Sequence, residues 1–269
     1  KYKDCRLVAH GIEIWGKLPF LKRRGLKNMH RILAVSHYTT GVIEKQHKIP
    51  RHRIDYFPNC LDPFFAEAPL LPVAEWNKHW RLDIHRTYLL TLARIKETEQ
   101  GKGYDTIIRL LPALIARHPN LCYLLAGKYD TAEYTRIRQL ADTFGVADRV
   151  LMPGFVAPER LPALYNLAKI FVMPSQKEGF GIVYLEAGWW GCPVVANRCG
   201  GVPEALLDGK LGILLPTENE ELLLATINNQ LEMPDKKEKT LADNRALISS
   251  NFGFEGFCNR LFMLLSPKR

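Results

Sequence analysis

Glu178 and Glu186 stand eight positions apart in the stretch PSQKEGFGIVYLE, which runs from Pro174 to Glu186. Each carboxylate can accept hydrogen bonds from two neighbouring hydroxyls, the pattern that a sugar ring or a ribose presents. Between them lie Gly179 and Gly181, and glycine lets backbone N–H groups come close to a ligand. A helix is predicted to begin near Gly181, and the positive end of a helix favours a phosphate. On these residues alone, a sugar-phosphate loop and a capped surface helix are equal readings.

Three further segments carry candidate chemistry. In LARIKETEQGKG, Leu92 to Gly103, a folded-back loop would let Arg94 and Lys102 converge on one anion. Arginine gives bidentate phosphate contact and lysine a mobile point charge; an ordinary charged loop is the competing reading. In NRCGGVPE, Asn197 to Glu204, a strand runs into the Gly200–Gly201 turn and then a helix with Pro203 in its first turn. His10-Gly11 directly follows a strand, although a lone histidine is more often structural than catalytic. Trp189 and Trp190 fall on the helix after Glu186, where at least one is expected in the core.

These segments need a scaffold, and the hydrophobic pattern supplies one. Short apolar runs predict strands at 5–9, 32–36, 54–57, 88–93, 121–126, 150–152, 170–173, 193–196 and 212–215. Helical patterns fall near 19–30, 38–47, 103–117, 131–144, 158–167, 181–190, 201–208, 218–231 and 235–265. A strand–helix–strand rhythm with nearly continuous apolar strands implies parallel sheets covered on both faces, an α/β fold. Residues 61–86, with Pro63, Pro69, Pro72 and two tryptophans, break the rhythm and read as a linker. The expected division is a partial N-terminal unit with linker over 1–82, a complete Rossmann-like unit over 83–250 and a C-terminal helix over 251–269. Ligands of open parallel sheets bind beyond the carboxyl ends of the strands, which is where all four segments lie.

The 269 residues carry a net charge of +9. The whole excess sits in residues 1–60, which hold 13 Lys or Arg against 4 Asp or Glu. Lys17, Lys22, Arg23, Arg24, Lys27 and Arg31 are its densest part. Such a patch suits an anionic surface or remains a solvated helix face. No interleaving of aromatic and basic residues accompanies it, which disfavours nucleic acid. The six cysteines form no CxxC pair, and Cys5, Cys60, Cys122 and Cys192 lie in or beside apolar runs. Reduced, buried thiols of a cytoplasmic protein are expected, not disulfides or zinc ligands.

In order and spacing, the segments resemble the retaining GT-B glycosyltransferases of family 4. The E-x(7)-E element matches Glu178 to Glu186, and AGWWGCPVVA continues it from Ala187 to Ala196. The R-x(n)-K-G element matches Arg94 and Lys102-Gly103, and GG-x-x-E matches Gly200, Gly201 and Glu204. Val35-Ser36 and Pro58 to Asp62 match the V-S and P-N-x-x-D elements that close the family's first domain. The resemblance implies hexose transfer from a UDP-, GDP- or ADP-sugar, with retention, to a glycan, lipid or small-molecule acceptor. It implies that Arg94 and Lys102 hold the donor diphosphate and that Glu178 contacts the donor sugar. Gly179, Phe180 and Gly181 would hold sugar and phosphate through their backbone, and Glu186 the ribose. Gly154, Phe155 and Val156 would line the base, with Gly200 and Gly201 at the same edge and His10 across the cleft. No metal or other cofactor is implied. The family's first domain is longer than the 60 residues before the linker, so an N-terminally truncated chain is expected, with a donor-binding fragment lacking turnover as the alternative. Lys128-Tyr129-Asp130 departs from the family's usual turn after Ala126-Gly127. The basic stretch would place the protein at the periphery of an anionic membrane, where each cation contributes about 1 kcal/mol.

Overall fold

A computed structural model describes residues 5–68, 80, 82–234 and 237–266. Nine strands form two parallel sheets among these residues. The first has three strands, β1 (Arg6–Ala9), β2 (Arg31–Ala34) and β3 (Ile54–Tyr56), paired in that order. The second has six: β4 (Thr87–Leu92), β5 (Leu121–Ala126), β6 (Val150–Gly154), β7 (Ile170–Met173), β8 (Val194–Asn197) and β9 (Ile213–Leu215). Their order is β6-β5-β4-β7-β8-β9. From β4 the chain first builds towards β6 and then returns to add β7 on the other side. The crevice between the carboxyl ends of β4 and β7 is therefore the topological switch point of the sheet.

The apolar runs become strands because both faces of the second sheet are covered. Every residue of β5, LCYLLA, is buried. One core, with Leu90, Leu124 and Phe171, extends to Val35, Leu61 and Phe65 and so joins the two sheets. The opposite face packs Leu89, Leu125 and Val172 under helices α5 (Tyr104–Arg117) and α6 (Thr131–Thr143).

The remaining helices are α1 (Ile12–Trp15), α2 (Phe20–Asn28), α3 (His37–His47), α4 (Pro63–Ala66), α7 (Leu161–Leu167), α8 (Ile182–Trp189), α9 (Val202–Ala205), α10 (Glu220–Glu232), α11 (Lys237–Phe252) and α12 (Phe254–Leu265). Helices α1 and α4 were not legible in the pattern, being a single turn each. Asp62 caps α4 by accepting the Phe64 N–H, and Pro63 occupies its first turn. Pro69, Pro72 and Trp76 of the linker lie outside the described residues. The helical tail is two helices, since the chain bends at Gly253, where a side chain would overlap the Ser249 carbonyl. Helix α12 crosses to the first sheet. Phe257 packs on Phe57 with ring centroids 4.6 Å apart, and Arg6 donates to the Leu264 carbonyl.

All six cysteines are free thiols. Cys122, Cys192 and Cys199 are buried, whereas Cys5, just before β1, Cys60, in the loop after β3, and Cys258, on α12, are only partly so. Trp190 is in the core and Trp189 half-buried, with the Arg245 guanidinium 5.2 Å and 5.1 Å from their respective ring centres.

Candidate active site

The loop 174–181 leaves β7 at the switch point and is tied down by its neighbours. Gln176 N donates to the Gly101 carbonyl at 2.9 Å, and Asn197 Nδ2 to the Pro174 carbonyl at 3.0 Å. Gly201 N donates to the Glu178 carbonyl at 2.8 Å. The segments after β4, β7 and β8 therefore meet at one sheet edge.

Their meeting requires glycine. A Cβ on Gly179 would overlap the His10 carbonyl oxygen, and one on Gly200 the Glu178 carbonyl. A Cβ on Gly201 would overlap the Gly179 carbonyl and crowd Ser36 at 2.9 Å. Main chain from His10-Gly11 of the first unit thus lies directly on the main chain of the EGFG turn. The His10 ring itself is exposed, and the N–H groups of His10 and Gly11 donate to Glu13 at 2.6 Å and 3.1 Å.

Gly181 adopts φ of +86° as it opens α8, a conformation that suits glycine. The N-terminus of α8 thereby faces the loop with no side chain capping it. Phe180 is buried and packs edge-on against Phe252 of α11, with centroids 5.4 Å apart. Its place is the core, so only its backbone faces the loop.

The charged groups are paired in a way the spacing did not reveal. Lys102 Nζ lies 2.8 Å from Glu178 Oε2, with only 14% and 13% of the two side chains exposed. Arg94 is 72% exposed and pairs instead with Glu99 at 3.2 Å. The two cations thus hold different carboxylates and do not share one partner. Glu186 accepts the Tyr165 hydroxyl at 2.8 Å. Burial pushes its carboxyl above the ordinary value, the Tyr165 hydrogen bond opposes this, and the Asp62 charge adds to it. Cys199 donates to the Ser175 carbonyl at 3.0 Å. Burial, then the Glu178 charge, push its thiol up to about 12, so it stays protonated and inert.

Gly154 ends β6, Phe155 projects into solvent and Val156 is buried. Tyr129, the departure from the usual turn, stands 3.5 Å from the position a Gly154 Cβ would take and packs on Tyr134. A polar cavity of about 830 Å³ adjoins these loops, lined by Asp105, Thr106, Arg109, Glu218 and Glu221 among others, and by none of the predicted site residues.

Two partners escaped the pattern. Tyr165, which holds Glu186, gave no signal because it lies in an apolar helix. Glu204 stood in a recognised motif, yet its partner is the backbone of α3, as derived below. The site therefore offers a buried ammonium, an open helix N-terminus, glycine-lined main chain and two carboxylates. Such a set can hold a diphosphate and vicinal hydroxyls and stabilise a phosphate as it departs.

Comparison with known proteins points the same way. The profile of the Glycosyl transferases group 1 family matches residues 74–246. The chain is 30% identical over 278 residues to the GDP-mannose-dependent alpha-(1-6)-phosphatidylinositol monomannoside mannosyltransferase of Mycolicibacterium smegmatis, covering 98% of this chain and 71% of that protein. A D-inositol 3-phosphate glycosyltransferase of Acidothermus cellulolyticus is 36% identical over 121 residues, 42% of this chain and 27% of its own length. In fold, the chain matches the crystal structure of Anabaena Alr3699/HepE in complex with UDP and glucose with a TM-score of 0.82. That match has 20% identity and covers 97% of this chain and 71% of the other. With two Rossmann-like sheets meeting at this loop and a family profile spanning most of the chain, the protein belongs to the glycosyl transferases group 1 family and is a GT-B glycosyltransferase.

Proposed function

We propose that this protein transfers a hexose from a nucleotide-sugar donor to an acceptor carried on a lipid, with retention of anomeric configuration. The observation that carries the donor half is the seat of Glu178: its carboxylate on Lys102 and its backbone under the Gly200–Gly201 turn, at the switch point of the six-stranded sheet. In this reading residues 83–250 form the donor unit, and residues 1–82 belong to the acceptor side. Helix α12 braces the two. Lys102, Arg94 and the N-terminus of α8 offset the charge of the leaving diphosphate. Glu178 holds the hexose and Glu186 the ribose. Gly154, Phe155 and Val156 flank the base, and the His10 carbonyl holds Gly179 in place. The leaving phosphate takes the acceptor proton as the new glycosidic bond forms on the same face. Positive charge comes from the chain, so chelation is expected to leave turnover unchanged.

Lipid as the acceptor's carrier is supported by α2. Leu26 anchors one face of this helix, while Phe20 and Leu21 are 75% and 78% exposed on the other. Lys17, Lys22, Arg23, Arg24 and Lys27 surround them and form no ion pair among the described residues. Solvation alone does not account for two large apolar side chains set among cations, and an anionic bilayer surface does. Among the described residues no helix is long and apolar enough to cross a membrane. The mannosyltransferase relative, whose name gives phosphatidylinositol monomannoside as acceptor, supports the same class.

Calorimetry with UDP-, GDP- and ADP-sugars tests the donor reading, and the anomeric coupling constant of the product tests retention. Absence of heat with every donor would refute the first, and an inverted product the second.

A further inference from the structure

The first turn of α3 has three N–H groups with no helical partner of their own. Ser36 Oγ accepts the one from Thr39 at 3.1 Å, as an N-cap serine does. The other two are satisfied from the opposite unit: Glu204 Oε2 accepts His37 N at 2.9 Å and Glu204 Oε1 accepts Tyr38 N at 3.1 Å. Both carboxylate oxygens are thus spent on the N-terminus of an 11-residue helix, where negative charge is most favourable.

Glu204 is also tightly linked to the donor loop. It sits three residues beyond Gly201, whose N–H holds the Glu178 carbonyl and whose Cα leaves no room for a side chain against Gly179 and Ser36. Any separation of α3 from the donor unit would pull on the same turn that positions Glu178. On the first unit, Tyr56 approaches Glu204 and stacks under the His37 ring, with centroids 4.0 Å apart. Burial, with the Glu204 charge second, pushes the Tyr56 phenol up to about 12, so it remains a neutral donor beside the carboxylate. Arg260 of α12 lines the same small cavity. The shared core around Leu61 and Phe65 and the α12 contacts also join the two units, but among the described residues Glu204 is the side chain whose two carboxylate oxygens both bond across to α3, whereas His10 contributes a carbonyl contact.

We infer that Glu204 is the clamp that closes the two units around the donor loop, a positioning residue that acts through α3 and the Gly200–Gly201 turn without touching the donor. The inference rests on the glycosyltransferase reading for its effect on turnover, but not for its effect on closure.

The test uses the full chain with Glu204→Ala and Glu204→Gln. The glutamine keeps one acceptor oxygen and loses the charge. Three quantities are read: donor affinity by calorimetry, turnover, and the radius of gyration by solution scattering with hydrogen exchange at His37 and Tyr38. Loss of two charge-assisted bonds is expected to lower kcat about tenfold or more in Glu204→Ala, with Glu204→Gln between it and the parent. Donor affinity should change less than about twofold, since the donor unit is intact. Exchange at the two amides should quicken and the radius of gyration rise in the same order. A kcat equal to the parent's, or a fall in donor affinity matching the fall in kcat, overturns the clamp. So does unchanged exchange and scattering in both variants. If Glu204→Ala fails to fold, Glu204→Gln decides alone. A parent chain that binds no nucleotide sugar would count against the function, while exchange and scattering would still decide on closure.

Discussion

Lys102 Nζ sits 2.8 Å from Glu178 Oε2, and both side chains are mostly withdrawn from solvent. On the proposed reading, the cation assigned to the diphosphate already holds the carboxylate assigned to the sugar. Donor binding would then redirect one ammonium and would not have to recruit a charge from solvent.

Lys102→Ala removes the ammonium and leaves Glu178 without its counter-charge. Donor affinity should fall about tenfold to a hundredfold, and stability by about 2–4 kcal/mol, since a largely buried carboxylate loses its partner. The double variant with Glu178→Gln should recover much of the stability and none of the binding. Calorimetry and urea melts on the single and double variants measure both; additive losses in stability would show that the pair is not coupled.

If Glu186 holds the ribose, as proposed, it does so at a cost in stability. Its folded pKa is raised above the ordinary 4.5, burial being the main cause. Between 4.5 and the raised value the native state keeps a proton that the unfolded chain releases. Stability therefore falls as pH rises through that window and stays lower above it. Glu186→Gln should raise the melting temperature at neutral pH, with the gain vanishing below pH 4.5, while donor affinity drops. A variant less stable than the parent at neutral pH would contradict this.

Gly179→Ala forces a methyl group into the His10 carbonyl. A loss of about 1–3 kcal/mol and a large drop in turnover are expected, since neither backbone can move without opening the cleft. Gly25→Ala is the control. It lies within α2 with open space around its Cα, and alanine there should stabilise by about 0.5–1 kcal/mol. Thermal melts on the two variants should move in opposite directions, and only Gly179→Ala should lose turnover.

Phe20→Ser with Leu21→Ser should reduce flotation on anionic vesicles without altering activity on a soluble acceptor analogue. Replacing Lys22, Arg23, Arg24 and Lys27 by glutamine should weaken it further, at about 1 kcal/mol for each cation. Equal recovery of the parent chain on zwitterionic and anionic vesicles would rule out docking.

The sequence pattern located all nine strands, most plainly where a run is buried on both faces, as LCYLLA in β5 shows. It located the loop residues because glycine spacing and carboxylate spacing are local. What it missed is pairwise and distant. Arg94 turned to Glu99 rather than towards the Lys102 partner, a choice set by how loop 93–103 folds. Tyr165 and Glu204 found partners 21 and 166–167 positions away, which no local period encodes. Helices α1 and α4 escaped because one turn cannot show a 3.6-residue period, whereas α9, equally short, was marked by the Gly200–Gly201 turn and Pro203.

Gly179, Gly200 and Gly201 each leave no room for a Cβ against a neighbouring carbonyl, so the turn where the two units meet is held main chain to main chain, with Trp15 and Ser36 closing on it. Space alone excludes any larger residue at the three positions. On the proposed reading, redirecting the protein to another sugar therefore has to work through the walls, at positions such as Gln176 or Tyr129, while the turn is inherited unchanged.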